Sequence, residues 1–268
     1  MVGSSGVQPL DTALVQRFWQ RGWLVVEGVF EPRAADSISK LALSVGDTKI
    51  ANTADIDHVV DTSVNGLRAP RKVIEPFHED REFRKFVLSP RLSAIVAQLI
   101  GKPALLATDQ IFMKPPRFGS AKPYHQDNAY FSCQPADDVV TAWIALDDVD
   151  ESNGCLRYID GSHRDPPLEH VPIPGEPHNK SPRPEQIDLS RESIAPVGKG
   201  GVVFHHSNTL HTSHRNESDR WRRGYATHWV SGDVTSSEGF IDRAYFVTSP
   251  GAYEEALAAA QNSIFNSQ

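Results

Sequence analysis

The chain has 268 residues, of which 39% are hydrophobic, so it can bury a sizeable core and is predicted to form a single domain. Its net charge is −7, with basic and acidic residues interspersed, which disfavours nucleic-acid and membrane-surface proteins because both need a concentrated basic face. No run approaches the roughly 18 apolar residues of a membrane span. Small molecules are therefore the predicted partners, with no nucleic acid and no membrane.

Cysteine usage and the first residues indicate the compartment. Cys133 and Cys155 are too few for a disulfide framework. The opening residues, Met-Val-Gly-Ser-Ser-Gly, lack the basic start and apolar core of a signal peptide. The sequence therefore predicts a cytoplasmic protein in a reducing environment.

The first hundred residues are predicted to be mostly helical. Asp11 can cap a helix that ends at Gly22, and residues 23–26 then form a buried strand. Pro32 suits the first turn of a second helix. Further helices are predicted near 80–87 and after Pro90, with a short extended piece around Lys72. This helical N-terminal part covers about residues 10–101.

After this part the sequence changes to short apolar stretches separated by Pro, Gly, Asp and Asn. Several strands at this spacing predict an all-β sandwich or barrel, with its core over about residues 102–232. The predicted strands are 104–114, 124–131, 139–146, 154–159, 194–197, 202–206 and 221–230. A last amphipathic helix is predicted over about residues 251–265.

One segment inside the β region, residues 162–193, has no strand pattern. It is rich in proline and charge and lacks a clear period, so a long loop is predicted. Loops of this length in compact domains are usually either functional lids or disordered. We expect this segment to be a lid over the mouth of the barrel.

The motif His125-Gln126-Asp127 carries the first chemical signal. In an extended chain alternate residues point the same way, so His125 and Asp127 would share one side of a strand. Together they form two thirds of a common iron(II) site, which consists of two His and one carboxylate. The pair alone is a weak signal, because a solvated loop pair has the same sequence in a chain with 11 His and 34 acidic residues.

A second histidine ligand must come from elsewhere in the chain. The densest group of histidines lies between residues 202 and 214. It offers four candidates: His205, His206, His211 and His214. Spacing alone does not choose among them.

The strand predicted over 221–230 adds a second feature. Alternation places Arg222, Gly224, Ala226 and His228 on one face. A guanidinium beside Gly and Ala indicates a narrow pocket with a cation at its base, and the planar fork of Arg suits a carboxylate. The pocket therefore fits a small dicarboxylate, with a surface ion pair of Arg222 as the alternative.

Taken in order, the motifs resemble those of the phytanoyl-CoA dioxygenase family over roughly residues 10–250. They are Lys114-Pro-Pro, His125-Gln-Asp-Asn-Ala-Tyr, Ala142-Trp143-Ile-Ala-Leu, Asn153-Gly-Cys-Leu, Gly161-Ser-His163 and the run from Phe204 through Arg222-Arg223. Each motif is weak alone, but the ordered set is specific. The resemblance implies a mainly β fold with flanking helices, in which a double-stranded β-helix, a cupin-like jelly roll, follows the helical N-terminal region. It also implies an oxygenase that depends on iron(II) and 2-oxoglutarate.

Carried over position by position, the resemblance implies His125, Asp127 and His211 as the iron ligands. It implies Arg222 and Ser213 as the anchor for the far carboxylate of 2-oxoglutarate. Further cosubstrate contacts implied in this way are Trp143, Lys72, Gln110 and Gln126. The other histidines of the motifs, at positions 163, 205, 206 and 214, are predicted to be hydrogen-bonded locally.

The residues that follow the ligand pair are expected to shape a substrate pocket. They are Asn128, Tyr130 and Phe131, with core packing as the alternative for the two aromatic residues. The sequence does not identify the substrate or the oligomeric state.

The reaction that the resemblance implies consumes O2 and 2-oxoglutarate, releases succinate and CO2, and oxidises a small-molecule or acyl-CoA substrate. Hydroxylation is the expected outcome, while desaturation, cyclisation or epoxidation would use the same residues. Some relatives bind halide where the carboxylate ligand is replaced, so Asp127 disfavours halogenation. The alternative is a jelly-roll metal-binding or sensor protein without turnover, or a cupin-type isomerase. Arg222 disfavours that alternative, because such proteins do not need a dicarboxylate anchor.

Overall fold

The computed structural model describes residues 9–52 and 59–237. Its framework consists of two antiparallel sheets. In spatial order, the six strands of the larger sheet are β1 (Trp23–Val26), β13 (Val202–His206), β8 (Val139–Ala145), β15 (Arg222–Ser231), β5 (Ala104–Lys114) and β4 (Lys72–Ile74). The four strands of the smaller sheet are β12 (Glu192–Ala195), β9 (Leu156–Ile159), β14 (His211–Ser213) and β6 (Lys122–His125).

Three two-stranded ladders, six α-helices and four short 3-10 helices complete the described secondary structure. The ladders pair β2 (Val60–Thr62) with β3 (Arg68–Pro70), β7 (Cys133–Gln134) with β16 (Thr235–Ser236), and β10 (Val171–Ile173) with β11 (Glu176–Ser181). The helices are α1 (Thr12–Arg21), α2 (Pro32–Asn52), α3 (Pro76–Glu79), α4 (Arg81–Val87), α5 (Pro90–Ile100) and α6 (Asn128–Phe131). None of the helices in these two ranges is long and apolar enough to cross a membrane.

The helix ends follow the capping residues that the sequence indicates. The Asp11 side chain accepts a hydrogen bond of 2.8 Å from the backbone N–H of Ala13, and α1 ends at Gly22, which has φ +84°. The predicted helical N-terminal part is present. It also contributes β1 and β4 to the large sheet, so the barrel takes strands from before residue 102.

Two apolar clusters lie on opposite faces of the large sheet. Its outer face packs against the helices through residues such as Phe18, Leu92 and Trp229. Its inner face packs against the small sheet, where the rings of Trp23 and Tyr158 stack with centroids 4.8 Å apart. Two antiparallel sheets packed face to face in this way form a jelly roll, which confirms the predicted fold class.

Strand β15 shows how alternation divides the two faces. Tyr225 and Trp229 lie in the outer cluster with the helices. Arg222, Ala226 and His228 line a cavity between the sheets. The face predicted from the sequence is therefore the inner face of the barrel.

The strand predicted over 124–131 is wrong beyond His125. Asp127 has helical dihedrals, φ −57° and ψ −38°, and it precedes the short helix α6. The backbone N–H of Asn128 donates to the carbonyl of Ser207, which turns the chain toward the end of β13. A distant backbone acceptor thus overrides the strand-like sequence.

The segment 162–193 is not an irregular loop. It contains the β10–β11 hairpin, and its last two residues already belong to β12. Side chains of the hairpin, including Glu176 and Asn179, line one side of the inner cavity. The helix predicted over 251–265 lies outside the described residues.

Candidate functional site

The structure brings His125, Asp127 and His211 together. His125 ends β6 and is the direct antiparallel partner of His211, which begins β14. The Nε2 atoms of His125 and His211 lie 3.6 and 3.8 Å from Oδ1 of Asp127, and the three ligand atoms are within 4.8 Å of one another. All three residues are buried, with 7%, 7% and 5% of the residue surface exposed for His125, Asp127 and His211.

Backbone carbonyls fix the tautomers of both histidines. Nδ1 of His125 lies 2.9 Å from the carbonyl oxygen of Pro123, and Nδ1 of His211 lies 2.9 Å from that of Thr209. A carbonyl only accepts, so each Nδ1 carries the proton and each Nε2 keeps a bare lone pair. Burial, followed by the charge of the neighbouring histidine in each case, lowers the pKa of His125 well below its usual range and that of His211 to about 4. Both rings are therefore neutral near pH 7.

The carboxylate of Asp127 is oriented through its second oxygen. Oδ2 accepts a hydrogen bond of 2.7 Å from the Thr141 hydroxyl and lies 3.0 Å from Nε2 of His205. Burial by itself raises the pKa of Asp127, but the hydrogen bond from His205 and the nearby histidine charges hold it well below its usual range. Oδ1 receives no hydrogen bond from the described residues and faces the two ligand histidines.

The residues behind Asp127 form one row across three adjacent strands. Thr141 on β8 lies opposite His205 on β13 and opposite His228 on β15. Nδ1 of His228 lies 2.9 Å from the Thr141 hydroxyl, and Nδ1 of His205 lies 2.9 Å from the hydroxyl of Tyr158. This row holds the carboxylate in place, in the manner of the outer-shell residues that orient metal ligands.

This donor set fits a divalent iron ion. Three bare acceptor atoms converge, and no donor of the described chain lies among them. Two imidazole nitrogens and one carboxylate oxygen on one side of an ion are typical of non-haem iron(II) oxygenases, which keep the remaining positions for substrates. The side chains that would hold the ion are those of His125, Asp127 and His211.

The three ligands open into a cavity of about 640 Å³ between the two sheets. Arg222 lies in its wall with 2% of its surface exposed. Its Nε donates to the carbonyl of Gly154 at 3.0 Å, and no carboxylate of the described residues forms an ion pair with it. Burial lowers the pKa of Arg222 to about 10, so it stays charged. A buried, unpaired guanidinium is unfavourable unless a ligand supplies the counter-charge.

Trp143 supports this guanidinium. The Arg222 Cζ atom lies 4.9 Å from the Trp143 ring centroid, which is a cation–π distance. The ring occupies the space above Gly224, where an added Cβ would lie 1.7 Å from Trp143 Cζ2. Glycine is therefore required at position 224 to admit the tryptophan ring.

The other side chains predicted to contact the cosubstrate divide into two groups. Ser213, Gln110 and Lys72 line the cavity together with Arg222 and Trp143. Burial lowers the pKa of Lys72 to about 8. Gln126 is absent from the cavity wall, because its side chain points to the other side of the ligand loop. There its Oε1 accepts from Leu168 N–H at 3.0 Å and its Nε2 donates to the Asn208 carbonyl at 2.7 Å.

Of the predicted substrate-pocket residues, Tyr130 and Phe131 line the cavity and Asn128 does not. The Asn128 amide instead closes the turn after α6, accepting from Cys133 N–H at 2.8 Å and donating to the Cys133 carbonyl at 3.2 Å. Short polar side chains commonly stabilise turns in this way. Gln126 and Asn128 thus lie outside the cavity wall, and their predicted roles stay predictions.

Several site residues were not singled out from the sequence. They are Thr141, Tyr158, Lys122 and Arg71. His205 was predicted to bond locally, but its partner Asp127 lies 78 positions away. Alternation offered a signal for Thr141, which lies two residues before Trp143 on the same strand.

Comparisons with known proteins agree with this geometry. A solved structure described as the non-heme alpha ketoglutarate dependent carbocyclase SnoK from nogalamycin biosynthesis superimposes with a TM-score of 0.67 and 23% identity, covering 85% of this chain and 87% of that one. At this identity the likeness shows a shared fold.

Several relatives are found by sequence, and two show how much of the chain is shared. Bovine "Phytanoyl-CoA dioxygenase, peroxisomal" is 28% identical over 166 residues, which is 60% of this chain and about half, 49%, of the bovine protein. Zebrafish (Danio rerio) "Phytanoyl-CoA dioxygenase domain-containing protein 1" is 24% identical over 290 residues, covering 89% of this chain and 97% of that protein. The family model for phytanoyl-CoA dioxygenase matches residues 18–224. The chain therefore belongs to the phytanoyl-CoA dioxygenase family.

Proposed function

We propose that this chain is a single-domain oxygenase that uses iron(II), 2-oxoglutarate and O2 to hydroxylate a small-molecule substrate. The observation that carries the proposal is the convergence of three bare ligand atoms, from His125, Asp127 and His211, in a cavity that also holds an unpaired Arg222. A metal-binding protein without turnover would explain the three ligand atoms, but it would leave the unpaired Arg222 unexplained.

The cosubstrate assignment is supported by charge and placement. 2-Oxoglutarate has carboxylates at both ends, and a fork of two N–H donors on Arg222 suits the far one. Ser213 lies on the same cavity wall and offers a hydroxyl donor. The likeness to a structure named as alpha ketoglutarate dependent supports the same cosubstrate here.

Bound together, iron(II) and 2-oxoglutarate supply the oxidation, in which one oxygen atom of O2 enters succinate as CO2 leaves and the other enters a substrate C–H bond. The chain's own task is placement. Thr141 and His205 hold the Asp127 carboxylate at one orientation, and Arg222 over Trp143 sets the direction of the far carboxylate. Tyr130 and Phe131 lie on the side where the substrate is expected.

The hairpin β10–β11 is proposed as the lid. Besides the Gln126 side-chain bond to Leu168, the Gln126 backbone N–H donates to Nε2 of His170 at 2.9 Å. Further along, the Lys180 N–H donates to the Tyr130 hydroxyl at 2.9 Å. The hairpin is thus fastened to the loop that carries the metal ligands, where it can exclude water from a reactive site. Its deletion is expected to uncouple 2-oxoglutarate turnover from substrate oxidation, and unchanged coupling contradicts the lid role.

Oxygenases of this kind can form several types of product from their substrates. Hydroxylation is proposed because transfer of the hydroxyl is the simplest fate of the oxidised substrate. Desaturation, cyclisation or epoxidation needs the same residues, and a carbocyclase with this fold exists. Mass spectrometry separates hydroxylation and alkene epoxidation, which add one oxygen atom, from desaturation and cyclisation, which remove two hydrogens. NMR of the product then separates the two members of each pair.

The test is iron(II)-dependent formation of succinate from 2-oxoglutarate by the purified protein. His125→Ala and Asp127→Ala are expected to abolish it. His214→Ala is the matched control, because this exposed histidine does not line the cavity. Metal binding by the wild-type protein without succinate formation would favour the sensor or isomerase alternative.

The cytoplasmic location stays a prediction. Cys133 and Cys155 are free and buried in the described structure, as in proteins of reducing compartments. Fractionation of the cells that express the protein tests this.

A further inference from the structure

The cavity holds more positive charge than the proposed metal and cosubstrate use. Five cationic side chains line it: Arg71, Lys72, Lys114, Lys122 and Arg222. Two carboxylates, Asp127 and Glu176, line it as well. A divalent ion and the dianion 2-oxoglutarate carry equal and opposite charges, so their joint binding leaves the excess unchanged.

Lys122 is the cation of this set that lies nearest in sequence to the metal ligands. It begins β6, three residues before His125, and its register partner on β14 is Ser213. Lys122 and His125 both line the inner cavity, so the ammonium group lies on the wall that a substrate held beside the metal ligands would meet.

The groups in direct contact with the Lys122 ammonium are neutral. Its Nζ donates to the Asn179 amide oxygen at 2.5 Å and stands 5.2 Å from the Tyr130 ring centroid. The nearby carboxylate of Glu176 accepts from the other end of the Asn179 amide at 2.6 Å, so it is one residue removed from the ammonium. An ammonium group has three donors, and a single hydrogen bond from it is made within the described residues.

The environment of Lys122 disfavours its charged form. Burial, and then the charges of Lys72 and Arg71, lower its pKa to about 8. Lys122 is half-buried, and within the described residues no carboxylate forms an ion pair with it. Asp127 and Glu176 offset only part of the effect of burial and of the neighbouring cations, so the charge is unfavourable in the ligand-free protein. An anionic group on a ligand would stabilise the charge of Lys122, just as the far carboxylate of the cosubstrate would stabilise the charge of Arg222.

We infer that the substrate is a small organic acid whose carboxylate or phosphate group binds Lys122. This rests on the proposed function and names the substrate class of the same site. Lysine is a compact point charge without the fork of arginine, so it accepts either type of anion. A cavity of about 640 Å³ is of the size that holds one drug-sized molecule, and the cosubstrate takes part of it. The nucleotide of a coenzyme A thioester would lie outside.

The first experiment is a panel of matched compounds. Each carboxylic acid is tested beside its primary amide and its coenzyme A thioester, and each phosphate monoester beside its alcohol. Binding is measured by calorimetry on the Mn(II)- and 2-oxoglutarate-loaded protein, and product formation by mass spectrometry with iron(II). We expect binding and oxidation among the acids, with the carboxylate and phosphate series showing which anion is used. Acids that bind no better than their amides across the panel, or oxidation of thioesters in place of acids, overturn the inference.

Variants then assign the anion to Lys122. Lys122→Met is expected to lower kcat/KM for the acid at least about 30-fold, and Lys122→Arg to lower it less. Lys180→Met is the matched control, because its ammonium stands 5.8 Å from the same Tyr130 ring but its residue is not part of the cavity wall. Equal kcat/KM in Lys122→Met and wild type overturns the inference. So does a loss of 2-oxoglutarate affinity in Lys122→Met as large as the loss of acid affinity, since Lys122 would then serve the cosubstrate.

The two proposals fail separately. Wild-type protein that forms no succinate with iron(II) contradicts the oxygenase itself. Succinate formation with amides and acids accepted equally leaves the oxygenase intact and removes the acid-binding role of Lys122.

Discussion

Thr141 donates a hydrogen bond of 2.7 Å to Oδ2 of Asp127, which leaves Oδ1 as the oxygen that faces His125 and His211. Without the hydroxyl, the carboxylate could rotate and the Thr141 position would offer it no donor. Thr141→Val, nearly identical in shape, is expected to weaken metal binding by about 10–100-fold. Calorimetric titration of the metal-free protein with Mn(II) measures the change.

Thr227→Val is the control for this variant. Thr227 is also buried and hydrogen-bonded, to the Ala142 carbonyl at 3.0 Å, but alternation puts it on the opposite face of the same sheet. Its replacement is expected to lower thermal stability and leave metal affinity unchanged. Equal metal affinities for Thr141→Val and the wild type would show that Asp127 needs no orienting hydroxyl.

Gly224→Ala tests the support of Arg222. The new Cβ would lie 1.7 Å from Trp143 Cζ2, so the ring must move and carry the guanidinium with it. We expect a loss of about 1–3 kcal/mol in the free energy of unfolding and weaker 2-oxoglutarate binding. The double variant Gly224→Ala/Trp143→Leu, in which a smaller side chain makes room, is expected to recover stability but not cosubstrate affinity. A stable Gly224→Ala protein with normal cosubstrate affinity would contradict the role of Trp143.

Gln126→Leu tests the attachment of the hairpin. It removes the side-chain partners of Leu168 N–H and the Asn208 carbonyl, and leaving a buried polar group unpaired costs about 1–3 kcal/mol. We expect faster hydrogen exchange over residues 162–193 and more succinate formed per substrate oxidised. Gln134→Leu, an exposed glutamine outside this contact, is the control. Unchanged exchange in Gln126→Leu would mean that the hairpin is held by its other contacts.

Stability of the metal-free protein is expected to fall in mild acid. Burial lowers the pKa of His206 to about 4, from 6.5 in an unfolded chain. On acidification the unfolded chain takes up this proton before the folded protein does. Neutral, buried His206 therefore makes its full contribution to the free energy of unfolding above pH 6.5. The contribution is lost between pH 6.5 and pH 4, by up to about 1.4 kcal/mol per pH unit for one histidine.

Denaturant unfolding from pH 7 to pH 4 measures this slope. His206→Asn, whose amide oxygen can still accept from Asn208 N–H, is expected to show a shallower slope than the wild type. The same slope in both proteins would show that other groups cause the acid sensitivity.

Local signals made much of the fold predictable. Helix α1 begins after Asp11 and ends at Gly22 because both caps act within one turn, and β5 and β13 match their predicted bounds because apolar runs end at turn residues. The turn at Asp127 was not predictable, since the carbonyl of Ser207 that stabilises it comes from another strand. The hairpin in segment 162–193 was missed because its strands carry prolines and charges that hide the alternation.

The candidate site was likewise predictable from the sequence only in part. Arg222 and His228 follow from alternation along one strand. His125 and Asp127 follow from their own motif as candidate iron ligands, and the family resemblance added His211. His205 and Thr141 become neighbours only through the register of β13 with β8. Lys122 gave no signal, because the neutral contacts of its ammonium group come from Asn179 of the hairpin and from Tyr130 of α6.

The most direct test of the oxygenase site is anaerobic binding of 2-oxoglutarate to the iron(II)-loaded protein, measured by calorimetry with wild type and Arg222→Met. Because loss of one partner of a buried charged pair costs about 2–5 kcal/mol, Arg222→Met is expected to bind at least about 30-fold more weakly. The wild type is expected to bind 2-oxoglutarate tightly only when the metal is present. No binding to the iron-loaded wild type, or equal binding by Arg222→Met, would contradict the account.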